Sequence, residues 1–260
     1  MAPLALLTRP RADSEILAAL LRARGVDSLI EPVIEILPLD GARLPPLAPI
    51  QALLLTSANG VRALAALLGT PLEAPEAPEA PEARDLPLLA VGAATAEAAR
   101  QAGFTNVESA GGDVAALAAL AKTWLDPARG PLLHIAGSRI AGDLAARLGD
   151  QGFAVERHCI YRAEASDALS GETHDALASS KIDMVLFFSP RSARAFVKLI
   201  RAAAPESVPA RITAICLSPA VAEEAAGIKW RRIRAASRPE QAALLDEVAR
   251  EIEMAGINGR

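Results

Sequence analysis

The sequence predicts an α/β protein built from two similar, doubly wound parallel-sheet domains. Three observations carry this. Segments of the first half recur in the same order in the second, aliphatic runs alternate with helix-period patterns, and the runs end in small hydroxyl or glycine residues that pass at once into helices. The recurrence is the strongest of the three. Leu4-Ala-Leu-Leu-Thr-Arg-Pro10, with a helix pattern and Gly25 after it, returns as Leu132-Leu-His-Ile-Ala-Gly-Ser-Arg139 with a helix pattern and Gly152. Leu53-Leu-Leu-Thr-Ser-Ala-Asn-Gly-Val61 returns as Val185-Leu-Phe-Phe-Ser-Pro-Arg-Ser-Ala193, and the run from Leu88 returns as that from Ile212. A repeat of half a chain length is too long for a solenoid and implies two domains, which commonly hold a ligand in a cleft between them.

Each element has a local reason. Leu4–Leu7 is an apolar strand. A helix begins at Asp13 or Ser14, with apolar residues at Ile16, Leu17, Leu20 and Leu21, and Gly25 ends it. Leu29–Ile36 reads as a strand interrupted by Pro32, which suits an edge or a departing segment. Ala52–Leu55 is a buried strand, followed by a turn at Thr56–Gly60 and a helix over Val61–Leu68. Leu88–Val91 and Ala96–Ala102 repeat the plan, Val107–Ser109 adds a short strand, and Asp113 caps a helix over Val114–Trp124. In the second half the strands are Leu132–Ile135, Ala154–Tyr161, Met184–Phe188 and Ile212–Leu217. The helices are Ala141–Asp150, Ser192–Ala203, Ala220–Ala226 and Pro239–Met254. Continuous aliphatic strands alternating with helices mean parallel sheets covered on both faces. Glu73–Ala83, with a proline at every third position, is an acidic extended loop without a catalytic role.

Composition narrows the function. The net charge is −4 and the pI about 5.5, so no basic field draws the chain to nucleic acid or a membrane surface. No apolar run is long enough for a membrane span, no secretory leader is legible, and a cytoplasmic protein is expected. The 23 arginines against 4 lysines suit bidentate carboxylate or phosphate recognition, but a GC-rich genome that favours arginine codons explains them more simply. Cys159 and Cys216 lie in apolar strands with no CxxC, and three scattered histidines offer no metal site. Neither a GxGxxG turn, a phosphate-binding GxxxxGK[ST] loop nor a serine nucleophile elbow is present.

Ligands of parallel sheets bind beyond the carboxyl ends of the strands. Those ends carry Thr8-Arg9, Thr56-Ser57, Gly92–Thr95, Ala136–Arg139, Ser189–Arg191 and Cys216–Ser218. Free amides and hydroxyls at successive helix N-termini would cradle a ligand with several carboxylates or phosphates, although N-capping alone explains any single turn. Tyr161, the one tyrosine, ends a strand; it is either a weak acid and hydrogen-bond donor or an ordinary strand-end residue.

At these residues the chain resembles the uroporphyrinogen-III synthase family. The motifs are LLTRP with EPVIEILPL, LLLTSANGVRAL, AVGAATAEAARQAGF, CIYRAE, LFFSPRSARAF and CLSPAVAEEAAG, in that order over nearly the whole chain. The resemblance implies interleaved domains. Residues 1–34 with 166–260 form the first and 41–157 the second, and 35–40 with 158–165 are a two-stranded antiparallel linker beside the cleft. It implies ring closure of the linear tetrapyrrole hydroxymethylbilane, with loss of water and inversion of the last pyrrole ring. No cofactor and no metal are implied, and a monomer is expected. By position Tyr161 is the catalytic residue that assists departure of the hydroxyl. Arg9, Ser57, Thr95, Arg139, Ser189 and Ser218 are substrate-binding, with Ser218 standing where the family often has threonine. The alternative is a non-catalytic two-domain binding or regulatory module for a polyanionic small molecule.

Overall fold

The computed structural model describes residues 2–69, 83–138, 143–203 and 208–258. Most of the acidic proline repeat and the turn containing Arg139 lie outside them. The chain divides into two compact units, Met1–Glu35 with Glu164–Arg260, and Ile36–Ala163.

The discontinuous unit holds a five-stranded sheet. Its strands are β1 (Leu4–Leu7), β2 (Asp27–Ile30), β9 (Met184–Phe187), β10 (Thr213–Cys216) and β11 (Arg232–Ala235), in the spatial order β11-β10-β9-β1-β2. Every pairing in it is parallel. The central strands β9 and β10 are wholly buried, whereas the edge strands β2 and β11 are partly exposed. Helices α1 (Arg11–Arg22) and α9 (Gln241–Asn258) cover one face, where Leu17, Leu21, Leu244 and Val248 pack on Ala5, Leu7, Leu186 and Ile215. On the other face Phe187 meets Phe196 and Trp230 at ring distances of 5.5 and 5.9 Å, so three of the few aromatics share one core. Phe196 belongs to α7 (Pro190–Ala203), and α8 (Pro219–Ala225) contributes the Ala225 carbonyl that accepts the Trp230 indole N–H at 2.7 Å.

The continuous unit holds a six-stranded sheet in the order β3-β8-β7-β4-β5-β6. These are β3 (Ile34–Pro38), β4 (Ala52–Leu55), β5 (Leu88–Ala90), β6 (Val107–Ser109), β7 (Leu132–Gly137) and β8 (Val155–Ala165). The pairings from β8 to β6 are parallel. On one face Val61, Leu64 and Leu68 of α2 (Ala58–Leu68) and Ala96 and Ala99 of α3 (Ala93–Gln101) pack on Leu53, Leu55, Leu133 and Ile135. On the other, Leu117 and Ala121 of α4 (Val114–Trp124) and Leu144 and Leu148 of α5 (Leu144–Gly149) pack on Leu54, Leu89 and Leu132.

The sequence repeat equates β7, β8, β4 and β5 with β1, β2, β9 and β10, and the sheet orders add β6 as the counterpart of β11. Under that equivalence the two sheets have the same strand order, apart from the extra edge strand β3. In each, successive strands run outward on both sides of one central pair, β4–β7 or β9–β1, and it is beyond such a reversal of order that parallel sheets commonly bind ligands.

Some boundaries differ from the sequence reading. The run around Pro32 is not one strand: β2 ends at Ile30, β3 begins at Ile34, and they lie in different sheets. The Leu39 N–H donates to the Ile160 carbonyl at 3.0 Å and the Ser166 N–H to the Val33 carbonyl at 3.1 Å, so β3 runs antiparallel to β8. At the bend, the carboxylate of buried Glu31 accepts hydrogen bonds from the Ser170 amide and hydroxyl and from the Thr173 hydroxyl. Ser170 caps a helix absent from the reading, α6 (Gly171–Ala178). The strand β11 was also unforeseen. Its arginines and the one just before it meet buried carboxylates of α9: Arg231, Arg232 and Arg234 reach Glu251 at 2.7, 3.2 and 2.9 Å, and Arg234 also reaches Glu247 at 2.9 Å. Helix α1 starts at Arg11 after Pro10, earlier than Asp13, and the Ser14 hydroxyl turns back to the Arg9 carbonyl at 3.0 Å.

Candidate functional site

In the continuous unit, two of the residues singled out by sequence, Ser57 and Tyr161, meet at the carboxyl end of the central strand pair. Ser57 follows β4 in extended conformation and is the N-cap of α2, its Oγ accepting the Gly60 N–H at 3.0 Å. The same Oγ lies 3.0 Å from the Tyr161 hydroxyl. Tyr161 is on β8, two strands away from β4, with β7 between them.

Two local features make that reach possible. The first is a bulge in β8. Ala136 pairs with Cys159 but Gly137 pairs with Tyr161, so Ile160 is the extra residue. Strict alternation would place Tyr161 on the face of Cys159. With the bulge, Ile160 and Tyr161 are both buried in the cluster that packs under α2 and α3. The second is Gly137. A Cβ there would stand 2.7 Å from Cε2 and 2.8 Å from Cζ of the Tyr161 ring. The ring thus rests on bare backbone as it crosses β7 toward Ser57. The Ser138 N–H donates to the Tyr161 carbonyl at 2.9 Å, and Arg157 donates to the Gly137 carbonyl at 2.8 Å, fixing both strand ends.

Thr95 lies in the first turn of α3, buried, its amide bonded to the Gly92 carbonyl at 3.1 Å, beyond the neighbouring strand β5. Asp113 caps α4 through Oδ1, which accepts the Ala115 and Ala116 amides at 2.9 Å each. The hydrogen bond from the Ala116 amide leads the causes that hold its carboxyl below the usual range. Arg139 lies outside the described residues. A cavity of about 570 Å³ lined by Ile50, Pro87, Trp124 and Arg129 opens at the opposite, amino-terminal edge of this sheet and touches none of these groups.

In the discontinuous unit, Arg9, Ser189 and Ser218 follow the adjacent strands β1, β9 and β10, so they share one sheet edge. The Arg9 guanidinium sits 4.4 Å above the Phe188 ring, pairs with Asp13 at 3.1 Å and donates to the Gln241 side chain at 3.2 Å. The buried Thr8 hydroxyl donates to the Leu186 carbonyl at 2.8 Å and ties β1 to β9 at this edge. Ser189 accepts the Ser192 amide at 3.1 Å. Ser218 holds the N-cap position of α8 without a side-chain capping bond and is half-buried.

Sequence reasoning selected Ser57 and Tyr161 separately and missed Gly137. A glycine ending a continuous aliphatic strand, one strand over from a tyrosine, is the signal that could have found it. Cys216 is buried, and burial pushes its thiol up to about 12. Among the described residues no three His, Cys, Asp or Glu side chains cluster as metal ligands, and no helix is long and apolar enough to cross a membrane.

A family model described as uroporphyrinogen-III synthase HemD matches residues 15–246. Among solved structures, uroporphyrinogen-III synthetase from Helicobacter pylori is similar with a TM-score of 0.62 at 18% identity, covering 96% of this chain and 99% of that one. A mutant uroporphyrinogen III synthase from the extremely thermophilic bacterium Thermus thermophilus gives a TM-score of 0.47 at 19% identity, covering 97% and 100%. At such identities the first likeness is one of fold, an α/β architecture with parallel sheets. No curated protein sequence matches the chain.

Proposed function

The chain belongs to the uroporphyrinogen-III synthase family, and from that premise we propose how its own residues serve the reaction. It is a cyclising lyase of tetrapyrrole biosynthesis, closing hydroxymethylbilane to uroporphyrinogen III with loss of water and inversion of ring D. The family match over residues 15–246 is the observation that carries this.

The hydroxyl leaves the hydroxymethyl carbon of the first ring as water, while that pyrrole gives up its N–H proton, leaving an electrophilic azafulvene. Ring D attacks through its substituted carbon to form a spiro intermediate, which fragments and recloses inverted. Uncatalysed closure gives the type I isomer instead. The enzyme therefore has to assist one departure and control one conformation, which positioned dipoles do without strong acids or bases.

Tyr161 donates its proton to the departing hydroxyl, and the proton released by the pyrrole N–H restores the phenol. Ser57 accepts from the Gly60 amide, so its own proton is free to point at the Tyr161 oxygen. That leaves the phenol proton for the substrate. The helix N-terminus polarises Ser57, and Ser57 stabilises negative charge that develops on the phenol as it donates. Thr95 and Arg139 in the same unit, and Arg9, Ser189 and Ser218 at the edge of the other sheet, bind carboxylates of the substrate.

In this reading the two units are domains, β3 and β8 are linker strands, and each domain offers the carboxyl edge of its sheet. The common strand order supports it. The enzyme acts in the cytoplasm as a monomer.

The test is the product isomer. Freshly generated hydroxymethylbilane is incubated with the protein, oxidised, and the uroporphyrins separated. Type III above the protein-free control is the expected result. Type I alone from folded protein would favour the binding-module alternative.

A further inference from the structure

We infer that Gly137 is a positioning residue for the reaction: its missing side chain is the seat that holds the Tyr161 hydroxyl at Ser57. The inference rests on the role proposed for Tyr161. The ring has to pass over β7 to reach the cap of α2, and the register places Gly137 directly beside Tyr161. A Cβ at this position would come within 2.7 to 3.2 Å of Cε2, Cζ and the hydroxyl oxygen, all at the far end of the side chain. The backbone meets no such clash, so the ring and not the strand would yield. Any side chain at residue 137 would therefore lift the hydroxyl away from Ser57 and leave the sheet standing. Gly60, the glycine in the first turn of α2, is different. An added Cβ there meets nothing closer than 3.5 Å, so the tight requirement belongs to Gly137.

The bulge and the glycine are complementary. The extra residue Ile160 turns Tyr161 onto the α2 face, and Gly137 leaves that face open where the ring must lie. Neither device suffices alone. Without the bulge the ring points to the other face, and without the glycine it stands off the sheet.

The test is a double-mutant cycle on the full-length chain with hydroxymethylbilane as substrate. G137A should lower kcat on the order of tenfold to a hundredfold, as expected for a displaced catalytic group, with KM within about twofold. In a Y161F background the same change should cost little more, because no hydroxyl remains to misplace. Wild-type kcat in G137A, or an equal loss in both backgrounds, would overturn the inference. Should G137A not fold, the variant G137A/Y161L must restore folding, since leucine lacks the ring atoms that collide; a double variant that stays unfolded overturns it as well. A readout independent of turnover comes from the chain's single tyrosine. Isotope-labelled tyrosine gives the ring signals of one residue, whose ε protons should show through-space contact with the Gly137 α protons. No such contact refutes the seat even if the wild-type protein makes type III product. If it makes only type I, the reading of function fails while the ring contact still stands or falls by itself.

Discussion

Ser57 and Tyr161 lie 104 positions apart in the chain, yet their hydroxyl oxygens are 3.0 Å from each other. The bond spans an entire intervening strand. It joins a helix cap, whose oxygen already accepts an amide, to the one phenol of the protein.

Removing either hydroxyl separates catalysis from stability. Tyr161→Phe leaves Ser57 capping α2, so unfolding free energy should change by less than about 1 kcal/mol. Its kcat should fall on the order of a hundredfold, the usual worth of a positioned proton donor, and the type I share should rise. Ser57→Ala loses the cap as well and should cost about 1 kcal/mol of stability besides slowing turnover. Urea unfolding and product chromatography on the two variants check both halves. A Tyr161→Phe enzyme with wild-type kcat removes the phenol from the mechanism.

His134 gives the fold an acid-sensitive point. It lies on β7, and burial, aided by the charge of Arg157, pushes its imidazole down to about 4 from an ordinary 6.5. Between those values the unfolded chain binds a proton that the folded chain refuses. His134 therefore lends its full contribution above pH 6.5, loses it steadily as the pH falls to about 4, and loses nothing further below. The ceiling of the effect is about 3 kcal/mol. Urea midpoints measured across this range should slope for the wild type and flatten for His134→Leu, which also removes the buried, unpartnered Nε2.

Glu31 should matter to stability although no cationic side chain among the described residues pairs with it. Its carboxylate is the acceptor for one amide and two hydroxyls at the start of α6. Glu31→Ala leaves the buried Thr173 hydroxyl without this acceptor, while the exposed Ser170 can turn to water, and should cost about 2 kcal/mol. Ser170→Ala should cost less, because Thr173 still reaches the carboxylate. A lowered denaturant midpoint at unchanged slope is the expected signature.

The arginines of β11 make a similar prediction with the opposite charge. Glu251→Ala takes a shared carboxylate from Arg231, Arg232 and Arg234, of which Arg234 keeps Glu247, and removes the acceptor of the buried Thr213 hydroxyl at 2.9 Å. A loss of about 3 kcal/mol is expected, read from chemical unfolding. Arg194→Ala, which breaks the solvent-exposed pair with Glu224, should leave the midpoint where it is.

Much of this architecture was legible because central parallel strands must be aliphatic on both faces. Leu53-Leu-Leu55 and Val185-Leu-Phe187 can hardly be anything else, and Gly25, Gly103 and Gly152, each at positive φ, mark where helices turn back. The edge strand β11 was hidden because Arg-Ile-Arg-Ala has no such signature. Its charges are satisfied by Glu247 and Glu251 on a later helix, which no local window contains. Of the site, Ser57 and Tyr161 could be chosen by their place at strand ends. Their union could not, because it depends on β4, β7 and β8 lying side by side and on one surplus residue, Ile160, that alters no composition.

The interleaved order has a consequence for biosynthesis. On a ribosome, β1 and β2 emerge first, but β1 cannot pair on its inner side until Met184 to Phe187 has been made. At about 5–20 residues per second, that delay is on the order of ten to forty seconds. By then every strand of the six-stranded sheet, through Ala165, has been synthesised. The nascent amino-terminal hairpin of strand and helix thus spends its early life as an unfinished edge, exposed to chaperones, while its neighbour in sequence folds ahead of it.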